Sequence, residues 1–182
     1  MDYKMTIAGL ERHLPLCKVT DDLYIAGFIM FNDVEVTVAA AEELLKQAPE
    51  FDVLITAESK GIPLCYEMAR QSGKPYIVAR KGPKLYMQDV VKVQVNSITT
   101  DHMQILCLGK DERDQLCGKR VLIVDDVIST GESLAALEQL VDTVGGNIAG
   151  KFTVLAEGEA ADRTDITFLE YLPLFNPDGT PQ

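Results

Sequence analysis

Residues 121–133, Val-Leu-Ile-Val-Asp-Asp-Val-Ile-Ser-Thr-Gly-Glu-Ser, constrain the fold of this chain more than any other stretch. Four consecutive apolar residues imply a strand buried on both faces, because a half-exposed strand would alternate. Two adjacent carboxylates end the run, and a small turn then opens the helical pattern of Ser133–Val144. Strand, turn and helix in that order are the unit of an α/β fold built on a mostly parallel sheet. The turn Ser129–Ser133 places consecutive backbone N–H groups at the positive end of a helix, with hydroxyls on Ser129, Thr130 and Ser133. That combination suits a phosphate monoester. Gly131 lets the backbone approach the phosphate oxygens without a side chain between. Asp125 and Asp126, just upstream, are placed to accept hydrogen bonds from vicinal sugar hydroxyls. Together these groups match a ribose 5-phosphate. Acidic strand ends beside small-residue turns also serve packing or capping alone; the order of all thirteen residues is what favours a ligand.

The rest of the chain repeats the unit. Apolar runs at Phe51–Thr56, Pro75–Ala79 and Phe152–Leu155 predict further buried strands. Helical spacing at Val34–Gln47, stopped before Pro49, and at Ile62–Gln71, with Pro63 in its first turn, predicts covering helices. Met5–Leu16 carries apolar residues at roughly helical spacing and is expected to be a helix. Val90–Ser97 and Met103–Leu108 are β-prone and predict a hairpin around residues 98–102. No repeat or linker divides the chain, so residues 1–182 are expected to form a single domain. The turn-rich tail, residues 176–182, is expected to fray. Ligands of such sheets bind beyond the carboxyl ends of the strands, which directs attention to the loops after Thr56, Ala79, Val124 and Leu155.

Charge narrows the choice of ligand. With 28 acidic and 17 basic residues the formal net charge is -11, which disfavours nucleic acid as a partner. It leaves room for a phosphorylated small molecule held by backbone amides and a few local cations. Cys17, Cys65, Cys107 and Cys117 form no C-x-x-C pair, so buried reduced thiols are expected rather than zinc. His13 and His102 lack metal-like spacing. No leader-like apolar segment or membrane-length run occurs, and a soluble, cytoplasmic protein is expected. The Gly-Lys pairs lack the flanking residues of a P-loop, and no G-x-G-x-x-G follows a strand.

Two further segments bear on function. Ala57-Glu58-Ser59-Lys60-Gly61 lies between the first parallel strand and its helix, and Ala79-Arg80-Lys81-Gly82-Pro83-Lys84-Leu85 follows the second strand. With residues 121–133, they resemble the corresponding segments of the type I phosphoribosyltransferase family. The likeness is nearest to the enzymes for adenine and xanthine and to a purine-operon repressor of the same fold, and it runs best over residues 50–158. It implies a sheet flanked by helices, a hood over the base from about residues 24–35 and 156–175, and a mobile β-hairpin. It further implies phosphoribosyl pyrophosphate (PRPP) as cosubstrate, a purine base as acceptor, and a homodimer. Under it, Glu58, Ser59, Lys60, Gly61, Arg80, Lys81 and Lys84 meet pyrophosphate. Asp125 and Asp126 hold the ribose, and Ser129, Thr130, Gly131, Glu132 and Ser133 hold the 5-phosphate. Asp125, Asp126, Lys84 and Asp101, the last in the mobile loop, are the candidate catalytic residues. Magnesium is expected with PRPP, near Asp125 and Asp126. Phe31, Asn32 and Glu157 are the candidates for the base. The adenine enzymes usually carry Phe-Arg-Asp where this chain has Phe31-Asn32-Asp33, and Glu-Tyr where it has Thr99-Thr100. Asn both donates and accepts, so the pattern leaves a 6-amino and a 6-oxo purine open, with adenine the first choice. A regulatory protein that binds PRPP without catalysis is the alternative.

Overall fold

The computed structural model describes residues 1–96 and 103–182. A three-stranded antiparallel sheet comes first, made of β1 (Asp2–Ile7), β2 (Leu10–Lys18) and β3 (Tyr24–Ala26). The helix expected over Met5–Leu16 is therefore a hairpin. Its turn explains why: Ala8 and Gly9 both have positive φ, 48° and 80°, so a two-residue loop reverses the chain and pairs Ile7 with Leu10. Met5 and Ile7 then point inward at the period of a strand.

Helix α1 (Val34–Gln47) follows, capped by Asp33, whose carboxylate accepts from Val36 N at 3.1 Å. Then come β4 (Val53–Ala57), α2 (Ile62–Ser72) and β5 (Tyr76–Ala79). The antiparallel pair β6 (Val91–Asn96) and β7 (Met103–Leu108) follows, as the β-prone stretches predict. Short α3 (Lys110–Leu116) leads to β8 (Arg120–Ile128), α4 (Glu132–Thr143), β9 (Asn147–Glu157), a 3-10 turn at Gly158–Asp162 and β10 (Thr167–Leu172). The central sheet is wholly parallel, in the order β10-β9-β8-β4-β5.

Strict alternation in the central strands divides the interior. Val121 and Ile123 of β8 join Val53 and Ile55 of β4 under α4, with Leu134, Leu137 and Leu140. Leu122, Val124 and Leu54 face the other way, against α1, α2 and the N-terminal sheet. Both faces being covered, these strands read as continuous apolar runs. Tyr24 and Phe175 exchange two backbone hydrogen bonds of 2.9 Å, and the Tyr3 and Phe175 rings meet edge-on at 4.8 Å. The N- and C-terminal segments thus close over the same side of the molecule. Over residues 176–182 Gln182 N donates to Leu174 O at 2.8 Å, and Asp178 accepts from the Thr180 amide and hydroxyl. Of the four free thiols, Cys65 and Cys107 are buried, whereas Cys17 and Cys117 are exposed. Among the described residues, no helix is long and apolar enough to cross a membrane.

Candidate active site

The strand order reverses between β4 and β8: from β4 the chain winds outward to β5, and from β8 it winds the other way to β9 and β10. At such a switch point the connections leave in opposite directions and open a crevice beyond the carboxyl ends. A cavity of about 340 Å³ lies there, lined by Ala57, Glu58, Ser59, Lys60, Lys81, Leu106, Asp125, Asp126, Val127, Ser129, Ser133 and Glu157. Nine of these stand among the sequence candidates. Ala57, Leu106 and Val127 do not: Ala57 and Val127 are apolar residues near the carboxyl ends of β4 and β8, and Leu106 is an apolar residue within β7.

The cavity is built around carboxylates. Asp126 is 4% exposed, and its Oδ2 is buried with no hydrogen-bond partner among the described residues. Asp125 Oδ1 accepts from the Asp126 amide at 2.9 Å. Burial pushes the proton affinity of Asp125 well up, the Asp126 charge adds to this, and Lys60 opposes it. Burial raises Asp126 as well. Glu157, at the end of β9, is also raised by burial, although the Ser129 hydroxyl donates to it and Lys60 attracts it. Lys60 is therefore the cation that all three carboxylates share. A site holding excess buried negative charge and an orphaned acceptor is organised for hydroxyl donors and a cation.

The loop after β4 closes one wall. Gly61 caps α2 at φ -73°, an ordinary helical value, so its need is for room. A Cβ there would overlap Thr56 Oγ1 and fall 2.9 Å from Asp125 Oδ1 and 3.2 Å from Asp125 Cα. Thr56 is fully buried, and its hydroxyl also lacks a partner among the described residues. At the opposite wall Gly131 has φ +79°, a left-handed conformation that favours glycine, and it turns Ser129–Gly131 into the start of α4.

The basic segment after β5 is positioned by Glu58. Its carboxylate accepts from the Lys81 amide at 3.0 Å and from Arg80 Nε at 3.2 Å. Those contacts, the Lys81 amide foremost, hold its proton affinity below the usual carboxylate range despite partial burial. Arg80 Nη1 also donates to the Tyr86 hydroxyl at 3.0 Å. Lys81 reaches the cavity, whereas Arg80 and Lys84 lie outside its lining. Thr130, Gly131, Glu132 and Gly61 likewise support the walls without lining them.

Phe31 and Asn32 belong to a second cavity, about 420 Å³, with Met30, Val34, Val38, Pro63 and Tyr66. The structure does not bring them into the carboxylate cavity. Asn32 has φ +69° in a tight turn where Asp33 N donates to Met30 O, a conformation in which Asn is enriched. Asp33 is occupied by α1 and by Arg12, whose Nε donates to it at 2.7 Å. Asp101 and His102 lie outside the described residues.

Fold and site thus define a doubly wound α/β protein with a glycine turn at the start of α4 and a paired-carboxylate crevice at its switch point. The phosphoribosyl transferase domain family matches residues 33–175, and the chain belongs to that family. Over 125 residues it is 33% identical to the purine biosynthesis transcriptional repressor of Bacillus subtilis (strain 168), covering 69% of this chain and 42% of that protein. Over 125 residues it is 34% identical to the adenine phosphoribosyltransferase of Cenarchaeum symbiosum (strain A), covering 61% of this chain and 64% of that one. The chain thus spans less than two thirds of the length of either relative. The solved adenine phosphoribosyltransferase of Thermoanaerobacter pseudethanolicus superposes with a TM-score of 0.66 at 23% identity, covering 78% of this chain and 84% of that one. At that identity the likeness speaks for the fold.

Proposed function

We propose that this protein transfers the 5-phosphoribosyl group of PRPP to a purine base, adenine first, giving a nucleoside monophosphate and pyrophosphate, a reaction of purine salvage. The observation that carries the reading is the joining of Asp125, Asp126, Lys60 and the Ser129–Ser133 turn around one cavity at the switch point. Relatives named as adenine phosphoribosyltransferases support the choice of base.

In this reading Ser129–Ser133 hold the 5-phosphate through amides and hydroxyls. Asp126 Oδ2 and Asp125 accept from the ribose hydroxyls, which supplies the donor that Asp126 Oδ2 lacks among the described residues. The Glu58–Gly61 loop, with Lys60 and Lys81, faces the leaving pyrophosphate. The bond from the anomeric carbon to pyrophosphate breaks through an oxocarbenium-like state as a base nitrogen bonds to that carbon and sheds its proton. The protein's work is positioning and charge neutralisation. No cluster of three or more metal-ligating side chains occurs among the described residues. Magnesium is commonly held by one or two carboxylates, waters and substrate phosphates. Asp125 and Asp126 would hold it together with PRPP, and it would neutralise charge on the departing pyrophosphate. A cytoplasmic location and a homodimer belong to the same proposal, the homodimer alone being supported by the outward Leu85 and Tyr86 beside Arg80.

The test incubates the protein with PRPP, magnesium and each of adenine, hypoxanthine, guanine and xanthine while pyrophosphate release is followed. Release with adenine at the highest kcat/KM is expected. Release with another base would reassign the acceptor, and PRPP binding without release would point to a regulatory protein.

A further inference from the structure

A guanidinium given no site role so far, within the segment 156–175, reaches the turn Ser129–Ser133. Arg163 follows the 3-10 turn after β9, and its Nη1 lies 2.8 Å from where a Cβ on Gly131 would stand. The side chain is latched from behind. Its Nε and Nη2 donate to the two Asp165 oxygens at 2.9 and 2.8 Å, a bidentate pair. Asp165 also accepts from Lys151 Nζ at 2.6 Å, and Lys151 is ion-paired with Glu138 of α4. The chain of charges therefore starts on the helix whose first turn carries the phosphate loop and returns to that loop. These contacts hold the Asp165 carboxyl below the usual range, Arg163 contributing most. Nη1 is left over: it donates to no acceptor among the described residues.

We propose that Arg163 is a further phosphate-site residue of this protein, its latched guanidinium offering Nη1 to a phosphate monoester dianion held at Ser129–Ser133. The inference rests on the phosphoribosyl reading above. The turn itself carries no cation, since its one charged residue is Glu132, and in the phosphoribosyl reading Lys60 and Lys81 serve the pyrophosphate. A helix end and a few hydroxyls bind a dianion more firmly when a fixed positive charge adjoins them, and a guanidinium already held in place loses little freedom on binding. The same geometry adds a second requirement for glycine at 131, because any side chain there would displace Nη1.

The test is calorimetric titration of ribose 5-phosphate, and separately of pyrophosphate with magnesium, into the wild type, Arg163→Gln and Arg163→Lys. Arg163→Gln is expected to weaken ribose 5-phosphate by about tenfold while leaving pyrophosphate within about twofold. Arg163→Lys, which keeps the charge, is expected to recover part of the loss. Unchanged ribose 5-phosphate affinity in both variants would overturn the role of Arg163 and leave the phosphoribosyl reading standing. An equal loss for both ligands would make Arg163 a brace of the fold and also overturn it. A wild type that bound neither ligand would overturn both readings.

Discussion

Replacing Gly61 by alanine tests whether the crevice is as tightly built as its geometry requires. The added methyl would overlap Thr56 Oγ1, with Asp125 Oδ1 at 2.9 Å and Asp125 Cα at 3.2 Å. None of these is a flexible tip. Thr56 is fully buried in β4 and stiff at χ1, and Asp125 Cα is the backbone of β8. Overpacking of such a site costs about 1–3 kcal/mol. With rigid neighbours the upper half of that range applies, which in a chain of this size is a fall of about 4–12 °C in Tm. Backbone conformation contributes nothing, because φ at Gly61 is -73°. Thr56→Ala removes the overlapping oxygen, which has no hydrogen bond among the described residues, so alone it should cost less than about 1 kcal/mol. The double variant should then be more stable than the sum of the singles by about 1–2 kcal/mol. Incomplete recovery is expected because the Asp125 contacts remain. The assay is urea unfolding of the four proteins, with Tm as a check. A Gly61→Ala variant within about 2 °C of wild type, or singles that add within about 0.5 kcal/mol, would refute the steric account.

Other consequences are as direct. Asp125 and Asp126 bind protons more tightly folded than unfolded, so above the ordinary carboxylate range the folded state holds more protons and stability falls as pH rises. Asp125→Asn removes part of that penalty. Its Tm should gain on wild type from pH 4 to pH 8, by at least the 2–4 °C that about 1 kcal/mol represents here, while the proposed transferase activity is lost. A gain that shrinks as pH rises would contradict the raised affinities. Glu58→Gln keeps an acceptor for the Lys81 amide but weakens the hold on Arg80. It should raise KM for PRPP about three- to tenfold with Tm within about 2 °C, and an unchanged KM would separate the basic loop from the substrate. At Asn32, Asn32→Gly should leave Tm within about 1 °C, whereas Asn32→Val should cost about 1–3 kcal/mol of strain, a fall in Tm of about 2–12 °C. If Asn32→Gly instead raises KM for the base more than about tenfold at unchanged Tm, its side chain contacts the purine and the turn is incidental.

Local pattern alone determined much of this protein. Continuous apolar runs at Val53–Ile55 and Val121–Val124 specify strands covered on both faces, and the order Asp125-Asp126 to Ser133 specifies a strand end, a turn and the start of a helix. These are statements about neighbours along the chain, where periodicity and backbone chemistry act directly. The same reasoning failed at Met5–Leu16, because a few apolar residues over twelve positions satisfy helix and hairpin spacing alike, and the two positive φ values at Ala8 and Gly9 decide between them. Only the tertiary structure decided which charges share the crevice. It sets Lys60 among Asp125, Asp126 and Glu157. It pins Lys81 through Glu58 and parts Phe31 and Asn32 from the carboxylates. It also brings Arg163, 32 positions along the chain, against Gly131. Each depends on the side-by-side order of parallel strands and on loops meeting across it, distances that no local period encodes. The need for glycine at 61 is of the same kind: its own φ would admit any residue, and the strands on either side would not.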